Sequence, residues 1–146
     1  VPTLDARLRV ISKFSSELRQ LGPANFFYTD SDVLFAHGDR RLQAADGRTR
    51  SPGLWLLERR CGDSDKALHA EGISVKPGFQ DLVLIASVAL NAEPWKAFSE
   101  GELVAVSMGK VLKSGVQQPV PTPPLELTVV GYGEAVQRMH MKKRQF

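Results

Sequence analysis

Residues 4–21 place Leu4, Leu8, Ile11, Phe14, Leu18 and Leu21 three and four apart, the spacing of one apolar stripe on a helix. Arg7, Lys13, Glu17 and Arg19 fall largely off that stripe. Thr3 or Asp5 is placed to cap the start, and Gly22-Pro23 to end it. At about 1.5 Å per residue the helix runs roughly 27 Å, enough to cross several strands. The pattern then changes period. Asn25-Phe26-Phe27-Tyr28-Thr29 and Val33-Leu34-Phe35-Ala36-His37 are aromatic and β-branched runs on either side of Asp30-Ser31-Asp32, which predicts a hairpin with a three-residue polar turn.

Gly38 to Pro52 is polar, with Asp46-Gly47 and Ser51-Pro52 inside it, and reads as a loop with a short strand around Arg41-Leu42-Gln43. Leu54-Trp55-Leu56-Leu57 is the next strand, and Ile73-Ser74-Val75 a short one. Leu82 to Leu90 is the most apolar run of the chain. It lacks clean alternation, which predicts a strand buried on both faces. After Asn91-Ala92-Glu93-Pro94-Trp95 a helical turn is expected through Lys96-Ala97-Phe98. Leu103 to Met108 is a strand that Gly109-Lys110 turns back into Val111-Leu112. Hairpins dominate and no strand-helix-strand unit repeats, so the expectation is an α+β fold with antiparallel sheets. Residues 1–114 form the domain. Residues 115–146 form a proline-rich linker, with Pro119, Pro121, Pro123 and Pro124, and a basic tail with Lys142, Lys143 and Arg144.

One deficit follows from the pattern. Two strands, Leu54–Leu57 and Leu82–Leu90, look covered on both faces, yet the chain offers one long amphipathic helix. A sheet with two apolar faces needs a layer on each side, so a further part of the same polypeptide or a partner is expected to supply one.

Composition narrows the class. A chain of 146 residues with 42% hydrophobic and 24% charged residues is the size and make-up of one globular domain. The net charge of +3 is small, and the charges alternate without a nucleic-acid footprint. No apolar run approaches the roughly 18–20 residues that cross a bilayer, and no signal-peptide pattern opens the chain. A single cysteine, Cys61, excludes an internal disulfide framework and suits a reducing cytoplasm. The first residue is Val1, which suggests a processed start or a longer parent.

Candidate chemistry is sparse. Cys61, after Arg59-Arg60, sits in a basic setting that lowers a thiol pKa, and His69 is near in sequence. A working dyad also needs an orienting group and an oxyanion hole, which proximity does not provide. A thiol at a strand end is the favoured account. Asp30 and Asp32 have a D-x-D spacing but lack the later glycine and glutamate of a calcium loop, so turn formation explains them. His37, His69 and His140 have no zinc-like spacing. Asp39-Arg40-Arg41 either holds a loop through an ion pair or faces a substrate, the structural role being favoured. Gly109-Lys110 lacks the glycines of a phosphate loop. Taken alone, these residues assemble no active site.

Three segments carry a resemblance. FSSELRQLGPANFFYTDSDVLFAHGDRR (Phe14–Arg41), PGLWLLERRC (Pro52–Cys61) and DLVLIASVALNAEPWKAFSEGELVAV (Asp81–Val106) are similar, in order and spacing, to class II glutamine amidotransferases, most closely the YafJ-like and ergothioneine-pathway group. Ala86-Ser87, Leu90, Trp95, Gly101 and Glu102 stand in register with that family's pattern. The resemblance covers roughly residues 7–112 and implies the second half of an N-terminal-nucleophile hydrolase, an α-β-β-α sandwich with two stacked antiparallel sheets. It implies an enzyme that hydrolyses the amide of glutamine or a γ-glutamyl compound, with an N-terminal cysteine as nucleophile and its own α-amino group as base. That cysteine, the oxyanion-hole Asn-Gly pair and the substrate-holding arginine and aspartate belong to the family's first half. No position here matches them, and Cys61 is internal. No catalytic, cofactor or metal residue is therefore assigned, no cofactor is expected, and this chain by itself is expected to be inactive. The implied partners are the N-terminal half of the same domain, or a complementary chain, and a small glutamine or γ-glutamyl substrate, with no nucleic acid and no membrane. The alternative is a non-catalytic binding or structural module that pairs through its uncovered sheet face.

Overall fold

A helix, α1 (Leu4–Leu21), forms where the spacing predicts it. The Thr3 hydroxyl caps it by accepting from the Ala6 N–H at 3.2 Å, which satisfies one of the donors a first turn leaves open. At the other end the Gly22 N–H donates to the Leu18 carbonyl at 3.3 Å, and Pro23 cannot continue the ladder. The computed structural model describes residues 2–60, 67–70, 72–76 and 80–117. Within them the chain continues as β1 (Phe26–Asp30), β2 (Val33–Gly38), β3 (Arg41–Leu42), β4 (Thr49–Arg50), β5 (Trp55–Arg59), β6 (Leu68–Ala70), β7 (Ile73–Val75), β8 (Leu82–Ala86), β9 (Lys96–Ala97), β10 (Glu102–Ser107) and β11 (Lys110–Val116). The result is a mixed α/β fold whose described strand pairs are antiparallel.

Two sheets make the body: one in the order β1-β2-β10-β11, the other in the order β8-β5-β9. The two-residue period of β2 and β10 sorts their side chains between layers. Val33 and Phe35 of β2, with Leu103 and Ala105 of β10, face Ile11 of α1, with Leu4, Leu8 and Phe26 packed around them. On the reverse side Ala36, Val104 and Val106 meet Leu54, Leu56 and Phe98, joined by Val83 and Ile85 of β8. The register enforces this sorting, because Phe35 stands opposite Ala105 and Ala36 opposite Val104. Beyond the second sheet, Leu57, Leu68 and Trp95 form a third cluster with Trp55, Val75 and Leu84. The β6-β7 hairpin and the 90–95 segment thus cover that outer face. Arg59 ties the segment down by pairing with Glu93 at 3.0 and 3.2 Å, and Asn91 accepts from the Trp95 indole at 2.9 Å.

Several expectations are corrected. The first hairpin turn has two residues, Ser31 and Asp32, because Asp30 already pairs with Val33. Lys96-Ala97 is a strand and not a helical turn. It pairs with Trp55 and Leu56, and the neighbouring Phe98 is pinned in the inter-sheet core. The strand expected over Leu82–Leu90 ends at Ala86 and is half-buried throughout, since β8 has one strand neighbour in its sheet. β4 and β6 are strands that the pattern does not announce, and β11 runs on through Gly115 and Val116. An uncovered apolar surface lies away from the second sheet. Leu56 and Leu57 are buried by the chain itself.

That surface flanks α1. The residues of the helix that are fully buried are Ile11, Ser15 and Arg19, one per turn, so Leu4, Leu8 and Ile11 of the apolar stripe meet the sheet while Phe14 and Leu21 fall outside it. Val10 remains 70% and Phe14 52% exposed. With Leu18, Phe26, Phe27 and Tyr28 they line a groove of about 770 Å³ between α1 and β1, and β1 is an edge strand. On the opposite flank, Gln117 clasps the helix. Its amide nitrogen donates to the Ser12 carbonyl at 2.9 Å, the Ser12 hydroxyl at 2.8 Å and the Ser15 hydroxyl at 2.7 Å. Replacing Gln117 by Ala is expected to cost about 1–2 kcal/mol and to speed amide exchange in β11. Urea denaturation and hydrogen exchange check this, and unchanged protection of β11 counts against a clasp.

Candidate functional site

The densest polar cluster lies where α1 ends, β2 ends and β10 begins. Arg19 enters from the last turn of α1, four residues after Ser15, and Asp39 follows the last residue of β2. Both side chains are almost fully buried, and the Arg19 Nε donates to Asp39 Oδ1 at 3.1 Å. The other carboxylate oxygen accepts from the Ala24 N–H at 3.3 Å. Asn25 locks the strand end from both sides: its Oδ1 accepts from the Asp39 N–H and its Nδ2 donates to the Arg40 carbonyl, both at 2.8 Å. Glu100 closes the cluster toward solvent, 3.4 Å from the Arg19 guanidinium and 3.7 Å from Arg40. Gly101, at φ 76°, leaves the space that the guanidinium fills; a Cβ there would collide with it.

His37 stands just inside this cluster, wholly buried, with its ring 5.2 Å from that of Phe26. Burial pushes its pKa down to about 4; the Asp39 carboxylate opposes the shift and the Arg19 cation adds to it. The Glu102 backbone weakly favours the protonated ring, yet neither ring nitrogen meets a partner at hydrogen-bonding geometry. This imidazole is neutral and packed as an aromatic.

The cluster therefore contains a clamped carboxylate and cations but no nucleophile. The Asp39 part of Asp39-Arg40-Arg41 has the structural role favoured from sequence. Asp32 is a turn residue and Asp30 the last residue of β1, and both are drawn to Arg7, at 3.5 and 3.7 Å. His69 meets Ser74 at 3.4 Å across the β6-β7 pair, and Lys110 pairs with Asp81 at 3.3 Å. Cys61 and His140 lie outside the described residues. Among the described residues no group of three His, Cys, Asp or Glu is placed to hold a metal, and no helix is long and apolar enough to cross a membrane. Sequence reasoning missed Arg19, Asn25 and Glu100. A signal for Arg19 existed, because Ile11, Ser15 and Arg19 recur at intervals of four and so share one face.

A helix laid on an antiparallel sheet that is backed by a second antiparallel sheet defines a layered α/β protein. The profile of the family Glutamine amidotransferases class-II matches residues 2–128. The chain belongs to that family, and its function is amidotransferase-like. No curated protein and no solved structure matches it.

Two outcomes follow from the cluster. Asp39→Ala strands a buried arginine and is expected to cost about 3–5 kcal/mol. Arg19→Met with Asp39→Leu is expected to cost clearly less than the two single changes summed. A denaturation double-mutant cycle reads this, and additive costs would refute the coupling. For His37, the depressed folded pKa means that the unfolded chain takes up the proton first. Stability is then full above about pH 6.5 and falls by about 2–3 kcal/mol as pH drops toward 4. His37→Phe should flatten that part of the pH profile; an unaltered slope would assign it to the carboxylates.

Proposed function

We propose that this chain is part of a class II glutamine amidotransferase-like enzyme of the YafJ-like group. That enzyme hydrolyses the amide of glutamine or of a γ-glutamyl compound through an N-terminal cysteine lying outside these 146 residues. The match to the family over residues 2–128 carries this reading. The layering of α1 on one antiparallel sheet and of that sheet on another is compatible with the N-terminal-nucleophile α-β-β-α sandwich, of which this chain would be the second half. A cysteine that uses its own α-amino group as base must be a first residue.

The partner in this reading is the N-terminal half of the same domain or a complementary chain. The groove between α1 and β1 is the surface that suits it: an edge strand with open backbone groups beside Val10, Phe14, Phe27 and Tyr28. A strand pairing with β1 and apolar side chains against α1 would satisfy both at once. The enzyme works in the cytoplasm on a small molecule, without cofactor, nucleic acid or membrane. The second reading, a non-catalytic module, uses the same groove to pair and needs no nucleophile.

Glutamate release from glutamine distinguishes them. The 146-residue chain is expected to release none. The protein isolated from its native source is expected to release glutamate and to be inactivated by a diazoketone glutamine analogue that alkylates the nucleophile. A native protein that is inactive toward glutamine and γ-glutamyl amides alike would leave the module reading standing.

A further inference from the structure

The first sheet has a second open edge, β11. Every residue of that strand is exposed except Val111, which is half-buried. Its pairing with β10 leaves the outer row of backbone groups without a strand partner among the described residues, a state that favours addition of another strand. Between this edge and α1 runs a groove of about 1150 Å³. Its charge is one-sided. Arg9, Lys13 and Lys113 line it against a single carboxylate, Asp5, which Lys113 holds at 2.7 Å. On the other face of the sheet, β9, β10 and β11 bound a cleft of about 200 Å³ with Leu56, Phe98, Val104 and Val111 in its wall. The edge thus has cations on its α1 side and an apolar cleft on the side of the second sheet.

The chain itself carries a segment of the matching pattern. Gln117 follows β11 and is held beside this groove by its bonds to Ser12 and Ser15 and by its N–H to the Gly101 carbonyl at 3.1 Å. The sequence then runs through Gln118-Pro119-Val120-Pro121-Thr122-Pro123-Pro124 into Leu125-Glu126-Leu127-Thr128-Val129-Val130. This last run is the one stretch after Gln117 where apolar and polar residues alternate, the period of a strand. Leu125, Leu127 and Val129 share one face, with Glu126 and Thr128 on the other. With its leucines toward the apolar cleft, the run turns Glu126 to the α1 side, where the cations stand. The reverse orientation would set Glu126 beside Glu58 and Glu102, with Lys96 the one cation on that side. Residues 118–124, at about 3.1 Å each, reach roughly 22 Å, ample for the ~5 Å between neighbouring strands. The other edge, β1, lies three strand positions away with α1 in between. A tether this short also holds the segment at a roughly millimolar effective concentration, which favours it over a free partner. The family match extends through Thr128, which supports counting this run with the domain.

We propose that residues 125–130 dock on the β11 edge as a fifth strand of the first sheet, with Glu126 facing Arg9, Lys13 and Lys113. The connection, residues 117–124, is shorter than the dozen or so residues a parallel crossover needs, so the strand returns antiparallel. Hydrogen exchange of the full 146-residue chain tests this. Amides of residues 125–130 are expected to exchange about tenfold or more slowly than in a free peptide of the same sequence. Leu127→Pro, which removes a ladder donor, should return them to the free rate and speed exchange in β11, with α1 and β2 unchanged. Glu126→Lys should lower the protection of residues 125–130, and Glu134→Lys, the same charge change outside the strand, should not. Free exchange of residues 125–130 in the parent overturns the proposal. So does a Leu127→Pro protein whose β11 exchanges as before, since the segment then rests elsewhere. Equal behaviour of the two lysine variants overturns it too, because Glu126 then has no place among the cations. Protection that disappears on dilution assigns the edge to a second copy of the chain and overturns it as well.

Discussion

The buried pair Arg19–Asp39 is the constraint on which the rest of the architecture depends. Two charges taken out of water cost several kcal/mol each unless their bonds are nearly all made. Here the carboxylate accepts from a guanidinium and from the Ala24 N–H, and Asn25 and Glu100 complete the shell. Such a pair forms in one arrangement of the surrounding elements. It fixes the roll of α1, the end point of β2 and the approach of Gly101 at the head of β10. Burying Arg19 commits Ile11 and Ser15 to the same face. The apolar residues Val10 and Phe14 are turned aside as a consequence.

That consequence explains what was legible in the sequence and what was not. The helix, the first hairpin, the β10-β11 return and the antiparallel character follow from local periodicity and turn residues. Those signals act within a few residues and survive folding. The roll of α1 was legible in part: Leu4, Leu8 and Ile11 of the apolar stripe pack on the sheet, while Phe14 and Leu21 are left exposed beside a face that the tertiary Arg19–Asp39 pair also occupies. Lys96-Ala97 was misread for a similar reason: pairing with Trp55 and Leu56 and the seating of Phe98 decide its state, and none of these is local. β3 lies where a short strand was expected around Arg41-Leu42-Gln43, while its partner β4 is too short to carry a period. Of the polar cluster, Asp39 was legible as a loop holder, while Asn25 and Glu100 act through contacts 14 and 81 residues away.

The same cluster links rigidity at one end of the sandwich to openness along its side. At the strand ends, backbone and side-chain donors are cross-tied from Asn25 through Asp39 to Glu100, and the β3-β4 hairpin rises from this fixed base. Along β1 the sheet stops with its backbone groups exposed and its aromatic side chains beside an uncovered helix face. An edge of this kind invites pairing, and ordinary protection by charge is confined to its tip, where Arg7 gathers Asp30 and Asp32. The division is physically consistent with a domain whose chemistry is assembled from more than these residues. One side is rigid enough to hold a surface in a single geometry, and the other leaves an edge strand and apolar side chains open. In a class II glutamine amidotransferase, where the proposed nucleophile is an N-terminal cysteine, such an interface must be tight. A displacement of about 1 Å between the element bearing the nucleophile and the one supporting the substrate is enough to cost about a hundredfold in rate. On the proposed reading, the Arg19–Asp39 end contributes stiffness of the kind that such a tolerance demands.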